Sequence, residues 1–237
     1  MEIVPLELGE FQFPEPELAG RRGVVRGYAV THPGGIFLFD TGFGFGNAEL
    51  DATYHQVARP IGEVLYDAGI DLRDVTALAN CHLHADHAGQ NGAFRDMPAR
   101  IHVQSAEWEL AHTTDHTILE WIDAPGKDAY QLVDGDHEVA PSIRLMATPG
   151  HTKGHQSVAV STDRGTVVLA GQACYTAAEW TGEPDELEGR SGAPDKAAYD
   201  ASIARLRELG PAAVYFAHDR AIWTAGPRTP AILPGPC

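Results

Sequence analysis

The chain has 237 residues, of which 43% are hydrophobic, so it can form one α/β domain or two small ones. Its formal net charge of −16, with no basic cluster larger than Arg21-Arg22, argues against a nucleic-acid partner. The sequence contains no run of about 18 apolar residues and no basic-then-apolar leader, so we expect neither a membrane partner nor a secretory signal.

Five short apolar runs, each bounded by turn residues and rich in β-branched or aromatic side chains, predict buried strands. In chain order they are Ile36–Phe39, Val75–Ala79, Ile143–Ala147, Thr166–Ala170 and Ala212–Ala217. Each run leads into polar residues at its C-terminal end, where rigid sheets usually present functional groups. The repetition indicates a functional site built from the ends of strands.

Three helices are predicted between these strands. Apolar residues recur at helical spacing from Val57 to Ala68, directly before a glycine that supplies a stop. A second helix is predicted over Ser105–His112, and a third starts at the N-cap Asp195 and ends before Gly210-Pro211. Because strands come in runs with helices between them, we expect one layered α/β domain over residues 1–237.

The run from His82 to His87 packs four potential metal ligands into six residues: His82, His84, Asp86 and His87. Neutral imidazole and carboxylate suit zinc, iron and other first-row divalent ions. If the preceding strand continues in an extended form, His82 and His84 share one side of it. A turn starting near Ala85 would bring Asp86 and His87 toward a second ion, so the spacing predicts a two-metal site.

The string HLHADH, followed by His151 in a PGHT setting and by His218 after a late strand, resembles the metallo-β-lactamase superfamily. Within it, the chain is most similar to the N-acyl homoserine lactone lactonases. The matching motifs are Leu38–Gly42, His87–Phe94, Gly150–Ser157 and Phe216–Asp219. This resemblance covers residues 35–219 and implies an αββα sandwich, with two facing mixed sheets, helices outside and metals at one edge.

Carried over residue by residue, the resemblance implies a metal centre of Zn²⁺, with one or two ions, while iron or another divalent metal stays open. The implied ligands are His82, His84 and His151 for the first metal and Asp86, His87 and His218 for the second. Tyr175 matches a tyrosine that points at the substrate carbonyl in the lactonases, although it could also be an ordinary aromatic residue at the rim of a core.

Gln172 occupies the position at which the family carries a carboxylate that bridges the two metals. An amide offers one neutral carbonyl oxygen and an NH₂ group that cannot ligate. Three outcomes stay open: a dinuclear site bridged only by hydroxide, a single-metal enzyme, or a site adapted to another metal or reaction.

The leading hypothesis is a metal-dependent hydrolase that opens a lactone or related ester, and the resemblance implies acyl homoserine lactones and quorum quenching. A metal lowers the pKa of its bound water toward about 7, and the resulting hydroxide attacks the carbonyl carbon. A metal ion and Tyr175 would stabilise the oxyanion, and either the second metal site or Asp86, acting through a proton, would assist the departing alkoxide. The expected partner is a small molecule with an acyl group, and a homodimer is left open.

Three alternatives stay open. A thioesterase of the glyoxalase II or polyketide-pathway type would attack an acyl carbon in the same way. An iron-dependent oxygenase or non-hydrolytic enzyme on the same fold gains support from Gln172, since a changed ligand charge changes which metal is stabilised. A binding or inactive module would have lost the metal site, which the six retained ligand-type residues argue against.

The three cysteines, Cys81, Cys174 and Cys237, form no CxxC pair and leave one thiol unpaired under any pairing. A reduced, cytoplasmic setting is therefore the default expectation. Cys174 is interpreted as a small buried filler rather than a nucleophile, because it has no evident partner base.

Several further residues have weaker interpretations. Asp40 either orients a ligand histidine or caps its turn, and His155 is interpreted as a hydrogen-bonded histidine rather than a ligand. The stretch Thr181–Pro194 predicts a surface loop at the border of a substrate cleft. Histidines placed outside the ligand pattern, at the surface or in the core, are His102, His112, His116 and His137. Aromatic residues that could wall an acyl pocket are Phe43, Trp108, Trp121 and Trp180.

Overall fold

The computed structural model describes residues 1–183 and 193–226, and within them the strands form two mixed sheets. The strands are β1 (Ile3–Gln12), β2 (Arg22–His32), β3 (Gly35–Phe39), β4 (Val57–Ala58), β5 (Val75–Ala79), β6 (Arg100–Gln104), β7 (Tyr130–Val133), β8 (His137–Ala140), β9 (Ile143–Ala147), β10 (Gln156–Thr162), β11 (Gly165–Leu169), β12 (Ala213–Tyr215) and β13 (Ile222–Thr224). The α-helices are α1 (Ala48–Tyr54), α2 (Ile61–Asp67), α3 (Ala85–Ala88), α4 (Ser105–Thr113), α5 (Leu119–Asp123), α6 (Ala177–Thr181) and α7 (Lys196–Glu208). No helix in these two stretches has the length and apolar character needed to cross a membrane.

The first sheet has the strand order β4-β1-β2-β3-β5-β6-β7, and the second has the order β13-β12-β11-β10-β9-β8. In the first sheet β3, β5, β6 and β7 run parallel, so their C-terminal ends share one edge. In the second sheet β9 and β11 are both antiparallel to β10, and β11 is parallel to β12. The C-terminal ends of β9, β11 and β12 therefore also share one edge, which explains why the ends of the predicted strands carry the polar motifs.

Strand β3 shows how the layers are built. Phe37 and Phe39 belong to the apolar core between the two sheets, whereas Leu38 belongs to the core under the helices of the first sheet. Successive side chains of a strand point to opposite faces, so a strand covered on both faces needs an uninterrupted apolar run. Burying each of these side chains contributes about 1.5–3 kcal/mol.

A third apolar core lies on the outer face of the second sheet, where Val168 and Val214 pack with Ile203 and Leu206 of α7. Together the three cores define a helix–sheet–sheet–helix arrangement. The αββα architecture expected from the sequence is confirmed.

The five predicted strands are present as β3, β5, β9, β11 and β12, with shifts of one or two residues at some ends. The predicted helix over Ser105–His112 is present as α4. The third predicted helix is present as α7, and the Asp195 side chain accepts a hydrogen bond from the Ala198 main-chain nitrogen. Residues 184–192 of the predicted loop Thr181–Pro194 lie outside the described residues.

The first predicted helix is wrong at its start. Val57 belongs to the edge strand β4, and α2 begins only at Ile61, after Pro60 has held the chain extended. Its end is as expected, because Gly69 takes a φ of +75°, which favours glycine.

Candidate metal centre

The first sheet presents its ligand-type residues directly after β5. From the end of β5 the chain passes through His82 and His84 and then folds into α3, which carries Asp86 and His87. This short helix replaces the predicted turn near Ala85, and it brings the last two side chains back beside the first two.

Two glycines allow α3 to lie against the loop that follows β3. The main chain of Gly42 forms an isolated parallel bridge with Ala88. A Cβ atom added to Gly89 would lie 2.1 Å from the main-chain nitrogen of Gly44, so position 89 has no room for a side chain. The close approach fixes α3 relative to the first sheet.

A first donor group, called here the three-histidine group, contains His82, His84 and His151. The Nε2 atom of His82 lies 2.7 Å from Nδ1 of His84 and 3.1 Å from Nε2 of His151. The Nδ1 atom of His84 and the Nε2 atom of His151 are 3.2 Å apart. Because His151 follows β9, the group draws its members from both sheets.

The geometry and charge of the three-histidine group fit a zinc ion. Bonds of about 2.0–2.1 Å in a tetrahedral site put neighbouring ligand nitrogens roughly 3.3 Å apart, close to the separations seen here. Burial, reinforced by the neighbouring imidazoles, holds the pKa of His82 and of His84 well below the usual range. Neutral imidazole is the form that binds a divalent cation.

A second donor group, called here the Asp86 group, contains Asp86, His87 and His218. The Oδ2 atom of Asp86 lies 3.2 Å from Nε2 of His87 and 3.5 Å from Nε2 of His218. The other ring nitrogens have partners of their own: Nδ1 of His218 lies 2.9 Å from the Val24 carbonyl oxygen, and Nδ1 of His87 lies 3.1 Å from Oδ2 of Asp40. With its N–H proton assigned to Nδ1, His218 keeps its Nε2 lone pair for a cation. Burial alone would lower the pKa of His87, but Asp86, Cys81 and Asp40 raise it well above the usual value, so an ion bound at His87 Nε2 would displace a proton.

The Asp86 group also fits a divalent ion. The Nε2 atom of His218 is buried and has no hydrogen-bond partner among the described residues, a state that costs about 1–3 kcal/mol when nothing binds there. Burial lowers the pKa of His218 to about 4, so the ring is neutral. Burial alone would raise the pKa of Asp86, but its interactions with His87 and His218 outweigh this effect and lower the pKa.

Asp40 and His155 form hydrogen bonds with residues in or next to the two donor groups. Besides facing His87, the Asp40 carboxylate accepts a hydrogen bond from the Cys81 main-chain nitrogen at 2.8 Å. The two ring nitrogens of His155 lie 2.9 Å from the Thr148 hydroxyl oxygen and 3.0 Å from the Gln172 main-chain nitrogen. The prediction that His155 is a hydrogen-bonded, buried histidine is confirmed, and Asp40 lies where it can orient His87.

Gln172 follows β11 and lies beside the Asp86 group. Its side-chain oxygen Oε1 is 3.1 Å from Nε2 of His87. Within residues 1–183 and 193–226, the candidate groups include no carboxylate that belongs to both donor groups. The amide therefore stands where a shared anionic ligand would be expected.

A cavity of about 390 Å³ reaches both donor groups. Its polar wall includes His84, Asp86, Gln172 and Tyr175, and the Tyr175 ring stacks on the His218 ring with centroids 4.3 Å apart. Its apolar wall is formed by Phe11, Phe13, Phe43, Leu50, Tyr54 and Ile118.

Only one of the four aromatic residues proposed from the sequence lines this cavity. Phe43 does so, whereas Trp108 packs on Tyr130 and Trp180 packs on Trp223. Trp121 lies against the backbone at Gly44. Cys174 is buried, as expected of a filler.

The sequence interpretation missed a buried carboxylate and the position of one histidine at the cavity. Glu107 of α4 is fully buried, and it accepts hydrogen bonds from the Leu83 main-chain nitrogen at 2.9 Å and from the Thr152 hydroxyl at 2.5 Å. Its third partner is Nε2 of His116 at 2.8 Å. His116 belongs to neither donor group, but it lines the cavity, with its ring centroid 4.3 Å from that of His84.

Comparisons with known proteins agree with this architecture. An N-acyl homoserine lactonase from Bacillus sp is 38% identical over 163 residues, which cover 67% of this chain and 62% of that protein. The chain spans about six tenths of the length of the curated relatives it matches.

Two solved structures with similar folds are described as a quorum-quenching N-acyl homoserine lactone lactonase and as an N-acyl homoserine lactone hydrolase with the product N-hexanoyl-L-homoserine bound at its catalytic metal centre. They give TM-scores of 0.75 and 0.74 over 92% of each chain, at 27% and 26% identity. The family model for the metallo-beta-lactamase superfamily matches residues 20–218. The chain therefore belongs to the metallo-β-lactamase superfamily.

Proposed function

We propose that this protein is a metal-dependent hydrolase that opens the ring of an N-acyl homoserine lactone or a closely related lactone. The observation that carries the proposal is the cavity, which joins an apolar wall to members of both donor groups and to Tyr175. Its volume lies within the range of about 300–1,000 Å³ that is typical of small-molecule sites. The relatives named as lactonases support the same substrate class.

The charge of the cavity favours an uncharged substrate over an anionic acyl carrier. Asp86 and Asp115 are among its lining residues, and no Lys or Arg lines it among the described residues. Coenzyme A and glutathione thioesters carry phosphates or carboxylates that would have to pass these side chains. A neutral lactone meets no such repulsion.

The proposed metal ligands are His82, His84 and His151 in one group and Asp86, His87 and His218 in the other. Divalent ions bound there would supply a water of lowered pKa and a Lewis acid for the lactone carbonyl. Water adds to the acyl carbon, the bond from that carbon to the ring oxygen breaks, and the ring oxygen takes up a proton.

Two side chains have direct roles in this scheme. Burial raises the pKa of Tyr175, so its phenol stays protonated and donates a hydrogen bond to the carbonyl oxygen as negative charge develops there. Asp86 is ionised and lines the same cavity, so it accepts the proton that the attacking water loses and passes it to the departing ring oxygen.

The test compares matched substrates on one Zn²⁺-loaded preparation. N-hexanoyl homoserine lactone, hexanoyl-coenzyme A and the hexanoyl thioester of a small neutral thiol are assayed for acid or thiol release. We expect ring opening of the lactone and no release from the coenzyme A ester. Thiol release with the lactone untouched would instead establish a thioesterase.

One observation gives the oxygenase alternative a specific test. The Asp86 group combines two imidazoles with one carboxylate, a set that also occurs in non-haem iron(II) oxygenases. An oxygen electrode run on an iron-loaded sample with the same lactone separates the two functions. We expect no oxygen uptake. Oxygen uptake in proportion to the lactone consumed would show that the reaction is an oxidation and not a hydrolysis.

A further inference from the structure

The two donor groups differ in charge and in chemical type. The three-histidine group offers three imidazoles whose nitrogens lie 2.7–3.2 Å apart, without any carboxylate. The Asp86 group offers one carboxylate and two imidazoles, with its oxygen 3.2 and 3.5 Å from the two ring nitrogens. Zinc is well served by three imidazoles, whereas a set with one carboxylate also suits harder ions such as iron(II) or manganese(II).

The amide of Gln172 does not compensate for the missing shared charge. Its oxygen lies 3.1 Å from Nε2 of His87 and can contribute one neutral ligand atom, while its NH₂ group cannot bind a cation. Two dications bound in neighbouring groups would repel each other, and within the two donor groups only Asp86 supplies a negatively charged ligand from the protein. The second ion to bind therefore binds against this repulsion.

The structure also indicates which group fills first. The ring nitrogens of the three-histidine group have already converged to the separations that a tetrahedral ion requires. The Asp86 group is wider, with its carboxylate oxygen 3.2 and 3.5 Å from the two ring nitrogens. A preorganised group loses less free energy when it binds an ion.

We infer that the two metal positions of this protein are unequal: the three-histidine group retains one zinc ion tightly, and the Asp86 group holds a second, exchangeable divalent ion. Gln172 contributes to this inequality, because a carboxylate at position 172 would add a negative charge beside the Asp86 group. The inference rests on the proposed metal ligands and is independent of which ester is the substrate.

The test counts metals rather than turnover. The protein is loaded with Zn²⁺, dialysed against a weak chelator, and analysed by inductively coupled plasma mass spectrometry. We expect one zinc ion per chain in the wild type and two in Gln172→Asp, with the second dissociation constant tightened by about 10- to 100-fold. Zinc binds most nitrogen and oxygen sites more tightly than manganese, so Mn²⁺ is added in excess to the one-zinc wild type, where it should fill the Asp86 group without displacing the tightly held zinc ion.

Three further variants make the outcome interpretable. Gln131→Asp adds the same charge at an exposed position of β7 and should leave the metal content at the wild-type value. His218→Ala should still retain one ion, and His84→Ala should lose the tightly held one. Circular dichroism establishes that each variant is folded, and Gln172→Glu provides a second carboxylate if the Asp variant is not.

Two equally tight ions in the wild type, or no gain in either carboxylate variant, would overturn the inference. The same samples are assayed for lactone opening, so the two ideas can fail separately. A protein with two tight ions that opens lactones refutes the inequality alone. A protein with one tight ion that opens no lactone refutes the proposed function alone.

Discussion

Tyr175 places a protonated phenol beside the Asp86 group without contributing a ligand atom. We expect Tyr175→Phe to lower kcat for the lactone by about 10- to 1000-fold, since hydrogen bonds to a developing oxyanion act mainly in the transition state. The metal content should stay unchanged, because Tyr175 belongs to neither donor group. Steady-state kinetics with metal analysis on the same sample check both points, and an unchanged kcat would remove Tyr175 from the mechanism.

His102 makes stability depend on pH outside the metal centre. Burial lowers its pKa to about 4, the His137 ring lies 5.5 Å away, and its Nδ1 atom has no hydrogen-bond partner among the described residues. In the unfolded chain the pKa returns to about 6.5, so the unfolded state takes up the proton first. Stability should therefore fall as the pH drops from about 6.5 to about 4, by about 3 kcal/mol in total.

The variant His102→Gln should flatten this part of the stability profile. Urea unfolding at several pH values measures the effect, with His55→Gln as the control because His55 is exposed. A profile that His102→Gln leaves as steep as that of the wild type would show that other groups cause the acid loss.

At the residue scale, the sequence predicts candidate ligands well when they are close together in the chain. In the run His82–His87 the spacing of the ligand-type residues is visible directly in the sequence. His151 and His218 are recognisable from the motifs around them. Glu107 is different, because its partners Leu83 and Thr152 lie far from it in the chain and meet it only after folding. The available signal for its burial was its position four residues before Ala111, which places both side chains on the same buried face of α4.

Helix α4 acts as a brace for the metal-binding loops through Glu107. One carboxylate oxygen accepts a hydrogen bond from the main-chain nitrogen of Leu83, which lies between two candidate ligands. The other accepts a hydrogen bond from the hydroxyl of Thr152, which follows His151. Gly154 brings the same loop so close that an added Cβ would lie 2.2 Å from the Glu107 main-chain nitrogen. The helix therefore holds parts of the three-histidine group that come from two different sheets.

We expect Glu107→Gln to reduce the free energy of unfolding by about 1–3 kcal/mol, because an amide cannot accept all three buried hydrogen bonds. The zinc affinity of the three-histidine group should fall by about 10- to 100-fold. Glu109→Gln, an exposed position on the same helix, is the matched control. Chelator competition and urea titration of both variants give the comparison, and equal behaviour of the pair would contradict the bracing role.

At the element scale, strands that are buried on both faces could be predicted because their apolar runs are continuous. The long strand β1 could not, since Pro5 and Gly9 interrupt its pattern and its register shifts between Glu7 and Gly9. The start of α2 was misplaced for a related reason: Val57 fits the helical spacing but lies before Pro60 in the edge strand β4.

For the whole molecule, the proposed ligands act across the interface between the two sheets. His82 and His84 follow β5 of the first sheet, whereas His151 and His218 follow strands of the second. A bound ion therefore stabilises the folded state by binding it and not the unfolded chain.

Removing metal should accordingly lower the Tm. A protein of this size loses about 2–4 °C for each kcal/mol, so we expect chelation to lower the Tm by several degrees. Differential scanning calorimetry before and after chelation, and again after Zn²⁺ is restored, measures the change. If the demetallated sample has the same Tm as the untreated protein, the ion does not contribute to holding the two sheets together.

The wide spacing of these ligands along the chain has a consequence for biosynthesis. A ribosome that adds roughly 5–20 residues per second needs several seconds to proceed from His87 to His218. During that interval the early imidazoles are accessible to whichever cation is abundant, but the proposed three-histidine group can close only after His151 has been made, and the proposed Asp86 group only after His218. The choice of metal is therefore made by the finished fold rather than by the emerging peptide.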